Sequence, residues 1–354
     1  MDKKISVLKT AAFAAAIFFL AASMALTGCS KQKVFTLYTW ADMFPQEILD
    51  GFEKSSGYRI NYVNFDYDEI MLTKLENSGG AGYDLVIADD YIIETVIEKA
   101  LAQKLDKSKL VNYKNINPVY QGQFYDPLDE YTVPYGAGVQ TIVYDPKFVQ
   151  LKISGYSDLW DSSLKNKIGV IGNHRVINGM ALKVLGKSYN TLQLEDIQAA
   201  GKKLLELAPN IRLIKDDDLQ NDLLAGEIAI GVMYTSQVTM AKLEKPELEV
   251  VFPKEGIGFG IMAGFIPSKA ESAHAAYAFL NYIMDAKRGA ECFEQLGYYS
   301  TFSASDLYIK DELKEALTLP RGFNIDMEMI QNISNEAVEE HSRIWTAFKA
   351  AAGK

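Results

Sequence analysis

Two short segments place an aromatic side chain beside carboxylates: Trp40-Ala41-Asp42-Met43-Phe44-Pro45 and Ala88-Asp89-Asp90-Tyr91. An aromatic face attracts a cation and covers methylene groups, which is worth roughly 0.5–2 kcal/mol. A carboxylate neutralises charge that a closed cleft would otherwise strip of water. Together they meet the physical requirement for holding an alkyl-ammonium ligand. Each residue also has a plainer use. Asp90 stands where a helix N-cap would stand, and Trp40 could pack in a core. The run Asp216-Asp217-Asp218 reads as a solvated loop and helix start rather than a cation site.

Signatures of catalysis are missing. His174, His274 and His341 are far apart, with no HExxH or Cys-His metal spacing. There is no GxSxG elbow, and Cys292 has no neighbouring His, so no nucleophile–base pair is marked. No GxxxxGK[ST] loop occurs. Gly258-Phe259-Gly260-Ile261-Met262-Ala263 fits GxGxxA formally but runs on to Gly264 and Pro267 instead of a helix. It reads as a glycine-rich strand that lets backbone or ligand approach closely. The chain is therefore not expected to be an enzyme or to hold a metal or cofactor.

The 354 residues are 48% hydrophobic and 23% charged, with a formal net charge of −10. That is a globular composition with room for two domains, and the acidic balance argues against a nucleic-acid partner. Residues 1–28 read as a secretion signal: Lys3, Lys4 and Lys9 precede an apolar run from Ala11 to Ala22. That run is shorter than the ~20 residues a membrane span needs. Leu26-Thr27-Gly28-Cys29 follows and resembles a bacterial lipobox, so Cys29 is expected to carry a lipid anchor. Cys292 then remains alone, without a disulfide partner, and reads as a small buried hydrophobe.

These residues need elements to position them. After a tether at 29–33, Val34–Trp40 reads as a strand, and a helix opens at Pro45 and stops at Gly57. Tyr58–Phe65 and Tyr83–Ala88 read as strands, and Asp68–Glu76 and Tyr91–Ala100 as helices. This rhythm predicts a parallel sheet with right-handed crossovers. A second block repeats it. Strands are expected at 167–171, 211–214, 228–234 and 248–252, and helices at 178–185 and 194–207. Strands at 141–145 and 260–266 would link the blocks. The fold class is thus α/β with two discontinuous lobes, residues 34–140 plus 265–303 and residues 141–264 plus 304–354. Ligands of open parallel sheets bind beyond the carboxyl ends of the strands. Here that is the cleft between the lobes, where Trp40, Asp42 and Asp89 would sit.

From Val34 to Lys349 the chain resembles the bacterial periplasmic spermidine/putrescine-binding proteins of polyamine ABC importers. The resemblance is carried by Leu37-Tyr38-Thr39-Trp40 with Pro45, Tyr83-Asp84-Leu85-Val86, and Leu105-Asp106-Lys107-Ser108-Lys109-Leu110. Val133-Pro134-Tyr135, Ser157-Asp158-Leu159-Trp160, Asn210-Ile211-Arg212, Asn221-Asp222-Leu223 and Gly226-Glu227-Ile228 continue it. Pro253-Lys254-Glu255-Gly256 and Phe279-Leu280-Asn281-Tyr282 complete it. The resemblance implies a two-lobed periplasmic binding protein fold of type II, each lobe a mostly parallel sheet flanked by helices. It also implies a polyamine ligand, an ABC permease as partner, and a lipid-anchored monomer outside the cytoplasm.

The same resemblance points to Trp40, Asp42, Met43, Asp89, Tyr91, Asn173, Tyr234 and Gln331 as ligand-binding residues. Met43 stands where the family has a tyrosine, and Asp89 where it has a polar residue. An aspartate of the family aligns with Met262, a nearby aromatic with Gly260, and a second-lobe acidic pair with Asn173 and Val176. Most carboxylates expected from the second half of the cleft are thus absent. Three outcomes are open: Asp42 and Asp89 take over cation binding, the ligand has fewer amines, or the solute is another small polar molecule such as an amino acid or amino sugar. A surface lipoprotein without transport is a further alternative. The unusual acid at Asp89 favours the first outcome.

Overall fold

The structure, a computed structural model, describes residues 33–215, 218–316 and 326–353. The leader, Cys29, Asp216 and Asp217 lie outside the described residues. The first block runs β1 (Lys33–Thr39), α1 (Gln46–Ser56), β2 (Tyr58–Asn64), α2 (Asp68–Ser78), β3 (Leu85–Asp89) and α3 (Asp90–Glu98). Gly57 and Gly79 end α1 and α2 in the left-handed conformation, at φ 74° and 60°, which a side chain would disfavour. β1 pairs in parallel with both β2 and β3. Its side chains alternate between two apolar layers. Phe35 and Leu37 join Leu85 and Ile87 on one face, and Tyr38 joins Val86 and Ala88 on the other. Helices cover both faces, as a parallel sheet requires.

β4 (Thr132–Tyr144) then leaves this block. The second block holds β5 (Ile168–Val170), α4 (His174–Val184), α5 (Leu194–Leu207), β6 (Ile211–Ile214) and α6 (Leu219–Leu224). It continues with β7 (Ile230–Tyr234), α7 (Thr235–Glu244) and β8 (Glu249–Val251), and β9 (Ile257–Phe265) leads back. Next come α8 (Ala273–Ile283), α9 (Ala286–Leu296), β10 (Tyr299–Ser300), α10 (Asp311–Ala316), β11 (Met327–Met329) and α11 (Asn335–Ala351). One core holds Ile168, Val170, Val232, Leu204 and Phe348; the first block's layers form two more. The strand order β2-β1-β3-β9-β4-β7-β5-β6 makes β9 and β4 the shared centre. The chain also crosses a third time. The 303–307 turn packs on α9, whereas α10 packs on α7 of the second block.

β4 and α4 both begin well before the sequence suggests. β4 starts nine residues before the expected Thr141, because Pro134, Gly136 and Gly138 disguise its first half. Pro134 is tolerated at a register shift between Pro134 and Gly136, where a ladder N–H is dispensable. α4 starts at His174 rather than Asn178. The Asn173 side chain accepts hydrogen bonds from the N–H groups of Arg175 (3.0 Å) and Val176 (3.2 Å) and so caps the helix earlier. The glycine-rich 258–263 segment lies on β9. Cys292 is fully buried in α9, and burial pushes its thiol up to about 12. No helix among the described residues is long and apolar enough to cross a membrane.

Helix α4 is seated by a close approach. A Cβ at Gly179 would lie 2.0 Å from the ring of Tyr189. That fully buried ring cannot swing away, because Gln140 donates to its hydroxyl at 2.7 Å and to that of Tyr156 at 2.6 Å. Gly179→Ala is expected to cost about 1–3 kcal/mol of overpacking, read as a lower urea midpoint at unchanged slope. An unchanged midpoint would show that Tyr189 yields freely.

Candidate functional site

The sheet register brings the carboxyl ends of the two blocks together. β3 is antiparallel to β9, β9 to β4, and β4 to β7. β3 and β7 therefore run in opposite directions and their carboxyl ends point toward each other. Asp89 at the tip of β3 stands opposite Met262, and Met262 opposite Gly136; Tyr234 at the tip of β7 stands opposite Gln140. Four residues of β4 separate the tips, about 13 Å of extended chain. Between them Gly138 and Gly260 face each other across the ladder, both half-exposed in largely buried strands. The Tyr298 ring lies over Gly138, 2.8 Å from where a Cβ would stand. The floor of the cleft is thus glycine backbone, roofed by an aromatic ring at Gly138 and open at Gly260.

The first block supplies negative charge. Asp68 opens α2 and is 5% exposed, and one of its carboxylate oxygens accepts from the Asp89 N–H at 3.2 Å. Glu69 follows it and accepts from the Tyr91 hydroxyl at 3.2 Å. The Asp89 carboxylate is half-buried, and among the described residues no hydrogen bond or ion pair reaches it. Burial and then Glu69 push it up to about 7. Asp68 is driven well above the usual carboxylate range by burial first and then by Asp89. Burial, then Asp68, Glu69 and Asp89, likewise raise the Tyr91 phenol. Asp90 is held differently. Its side chain accepts from the N–H groups of Tyr91 (2.7 Å) and Ile261 (2.8 Å), clasping α3 to β9. Burial and the Asp89 charge raise it, while those two N–H groups pull it back.

The tip of β1 divides its candidates. Trp40 is half-buried and packs on Phe65 with ring centroids 4.9 Å apart. Asp42 is exposed on a left-handed backbone at φ 56°. That turn sends Met43 inward. Met43 is 5% exposed, packs in the first block's core, and accepts from the Tyr135 hydroxyl through its carbonyl at 2.9 Å. Its side chain is a core contact, not part of the cleft wall.

From the second block come Asn173, Tyr234 and Gln331. Asn173 donates to the Tyr234 hydroxyl at 3.2 Å while capping α4. Gln331 is half-buried just past β11, and its carbonyl accepts from Arg175 at 3.2 Å. Arg175 also donates to the Tyr189 carbonyl (3.3 Å) and to Asn190 (3.4 Å). Burial lowers it to about 10, opposed by the nearby Tyr91. Burial and Arg175 lower His174 as well, while Glu69 acts against them. These long-range effects mark α4 and α3 as neighbours across the cleft. Asn332 adds a direct tie from the same segment as Gln331, donating to Thr95 of α3 at 3.3 Å.

The structure therefore gathers Trp40, Asp89 and Tyr91 at one rim and Asn173, Tyr234 and Gln331 at the other. It sets Asp42 on the surface nearby and Met43 in the core. Sequence reasoning missed Asp68, Glu69 and Tyr298. The first two carried the signal that exposed Asp89, acids opening a helix just past a parallel strand. Tyr298 follows a helix and had no such marker. Among the described residues no group of His, Cys, Asp and Glu is arranged to hold a metal ion.

Comparison with known proteins agrees with this geometry. The family model described as bacterial extracellular solute-binding protein matches residues 47–320. The spermidine/putrescine-binding periplasmic protein of Salmonella typhimurium is 30% identical over 337 residues, covering 94% of this chain and 96% of that one. The putrescine-binding periplasmic protein PotF of Escherichia coli is 28% identical, covering 82% and 83%. Among solved structures, the spermidine/putrescine substrate-binding protein PotD of Streptococcus pneumoniae superposes with a TM-score of 0.78 at 26% identity, covering 90% of this chain and 99% of that one. A putative spermidine/putrescine ABC transporter protein from Listeria monocytogenes gives 0.81 at 27%, with the same coverage. With a family model spanning most of its length and relatives aligned nearly end to end, this chain belongs to the bacterial extracellular solute-binding proteins.

Proposed function

We propose that this protein captures a polyamine or a related small organic cation between its lobes and delivers it to an ABC permease. The carrying observation is the set Asp68, Glu69 and Asp89 at the tips of the first block's strands, beside Trp40 and Tyr91. Buried Asp68 and half-buried Asp89, beside the exposed Glu69, repel one another when the cleft is empty, and a cation relieves that cost. Asp68 joins Asp89 in replacing the acids missing at Met262, Asn173 and Val176. Trp40 and Tyr234 wall the methylenes, Asp42 draws cations toward the mouth, and Asn173 and Gln331 offer hydrogen bonds. Closure is a hinge motion of β4 and β9, with lobes of residues 34–140 plus 265–303 and 141–264 plus 304–354. Cys29 carries the lipid that holds the exported monomer at the membrane. The protein is a receptor, not an enzyme.

Calorimetric titration with putrescine, cadaverine, spermidine and spermine tests this. At least one is expected to give saturable heat and, at a hundredfold excess over its Kd, about 2.7 kcal/mol of added stability. No heat and no thermal shift with all four would sink it. A second reading has one observation in its favour: the start of α4 brings Asn173, Arg175 and buried Val176 to the second block's rim, none of them an acid. This suits a solute with a single cationic end, such as an amino acid or amino sugar. Native mass spectrometry of the freshly purified protein distinguishes the two by the mass of a retained ligand.

A further inference from the structure

Gly260 sits at the centre of the cleft floor, and its side-chain direction is unfilled. A Cβ there would meet only the Asp90 carboxylate oxygens, at 3.7 and 3.9 Å, which is ordinary contact distance. Its neighbours on the same face are all covered. Gly136 lies under the Met262 methyl group, Gly138 under the Tyr298 ring, and Gly258 under Tyr189 and Ile330. Gly260 is half-exposed, so the space above it opens to the cleft. The result is a shallow recess with a peptide floor, the Tyr298 ring on one side, and a 2% exposed carboxylate at its edge. The Asp90 carboxylate spends one interaction each on the Tyr91 and Ile261 N–H groups, which leaves lone pairs over for a ligand.

We propose that Gly260 is the specificity-determining residue of the cleft, opening a recess that receives a planar guanidinium group at one end of the ligand in preference to a bare ammonium. The inference rests on the cation reading above and narrows it. A guanidinium is flat enough to lie on a peptide surface and stack beside an aromatic ring. It is also more weakly hydrated than an ammonium, so it enters a half-buried recess at less cost, and its N–H groups reach a carboxylate edge. An ammonium keeps more of its water and leaves part of the recess unfilled. The other end of the ligand lies toward Asp89, Asp68 and Glu69.

The experiment titrates agmatine and putrescine, which share a four-carbon chain and differ in one end group, against the full chain and two variants. The wild type is expected to bind agmatine at least tenfold more tightly than putrescine. Gly260→Phe fills the recess and is expected to weaken agmatine at least tenfold more than it weakens putrescine. Gly260→Ala meets no atom closer than 3.7 Å, so it folds and reports even if the larger variant does not; its agmatine affinity falls a few-fold. Wild-type preference for putrescine, or equal weakening of both ligands in the variants, overturns the assignment of Gly260 and leaves cation capture standing. Binding of neither compound, nor of any amine titrated above, overturns both readings together.

Discussion

Asp89→Asn weakens amine binding by about a hundred- to several-thousandfold. The side chain keeps its shape and loses only its charge. Removing one member of a desolvated ion pair costs about 3–5 kcal/mol, and each 1.4 kcal/mol is a factor of ten in Kd. Two further readouts separate this from a general loss of structure. The cation pairs with ionised Asp89, which burial and Glu69 push up to about 7. Wild-type affinity should therefore fall by up to about tenfold per pH unit below 7, and the variant, left with Asp68, should show a shallower slope. In the empty protein the sign reverses. The folded carboxyl sits above its ordinary value, so its contribution to stability is full below about pH 4 and is lost as pH rises through 7. At pH 8 without ligand the variant should melt above the wild type, and with saturating amine below it. A Kd within threefold of wild type at pH 8 would remove Asp89 from the site.

The second large effect concerns acid stability. His341 is completely buried beneath α4, with Nδ1 3.1 Å from the Asn178 side-chain nitrogen and no partner for Nε2 among the described residues. Asn178 also donates to the His341 carbonyl at 3.0 Å. Charging the ring would put a second N–H against an amide donor in a dry core. Burial, then Arg175 and His174, lower it to about 3, with Glu340 opposing. Unfolded histidine takes up its proton near 6.5, so between about 6.5 and 3 the unfolded chain binds more protons than the folded one. Stability supplied by neutral His341 is present above pH 6.5 and is lost on acidification, by about 1.4 kcal/mol per pH unit in that window. Urea midpoints at pH 7, 5.5 and 4.5 measure it. His341→Gln should start less stable at pH 7 and lose less on acidification than the wild type. Parallel profiles would show that carboxylates alone set the acid limit.

The first block was legible because its strands are short β-branched and aromatic runs between helices closed by Gly57 and Gly79. Local signals of that kind survive without tertiary context. β4 was half hidden because Pro134, Gly136 and Gly138 are poor strand residues. They are acceptable there only because a register shift relieves the proline and Tyr298 and Met262 cover the glycines. Asn173 looked like a ligand residue and proved also to be the cap that starts α4. Met43 followed Trp40 and Asp42 in order but not in direction, because one left-handed residue turned it into the core.

By itself the sequence determined the two-block α/β order, the lack of catalytic spacing, and the presence of acids and aromatics at strand tips. These depend on residue type and on separations of a few positions. Only the tertiary structure decided that Asp68 touches Asp89 across 21 positions, that Tyr298 roofs Gly138, and that Gly260 stays uncovered. The physical reason is that charge repulsion, burial and open space are properties of distance in three dimensions. The opposed run of β3 and β7, which sets those distances, follows from how β4 and β9 pair.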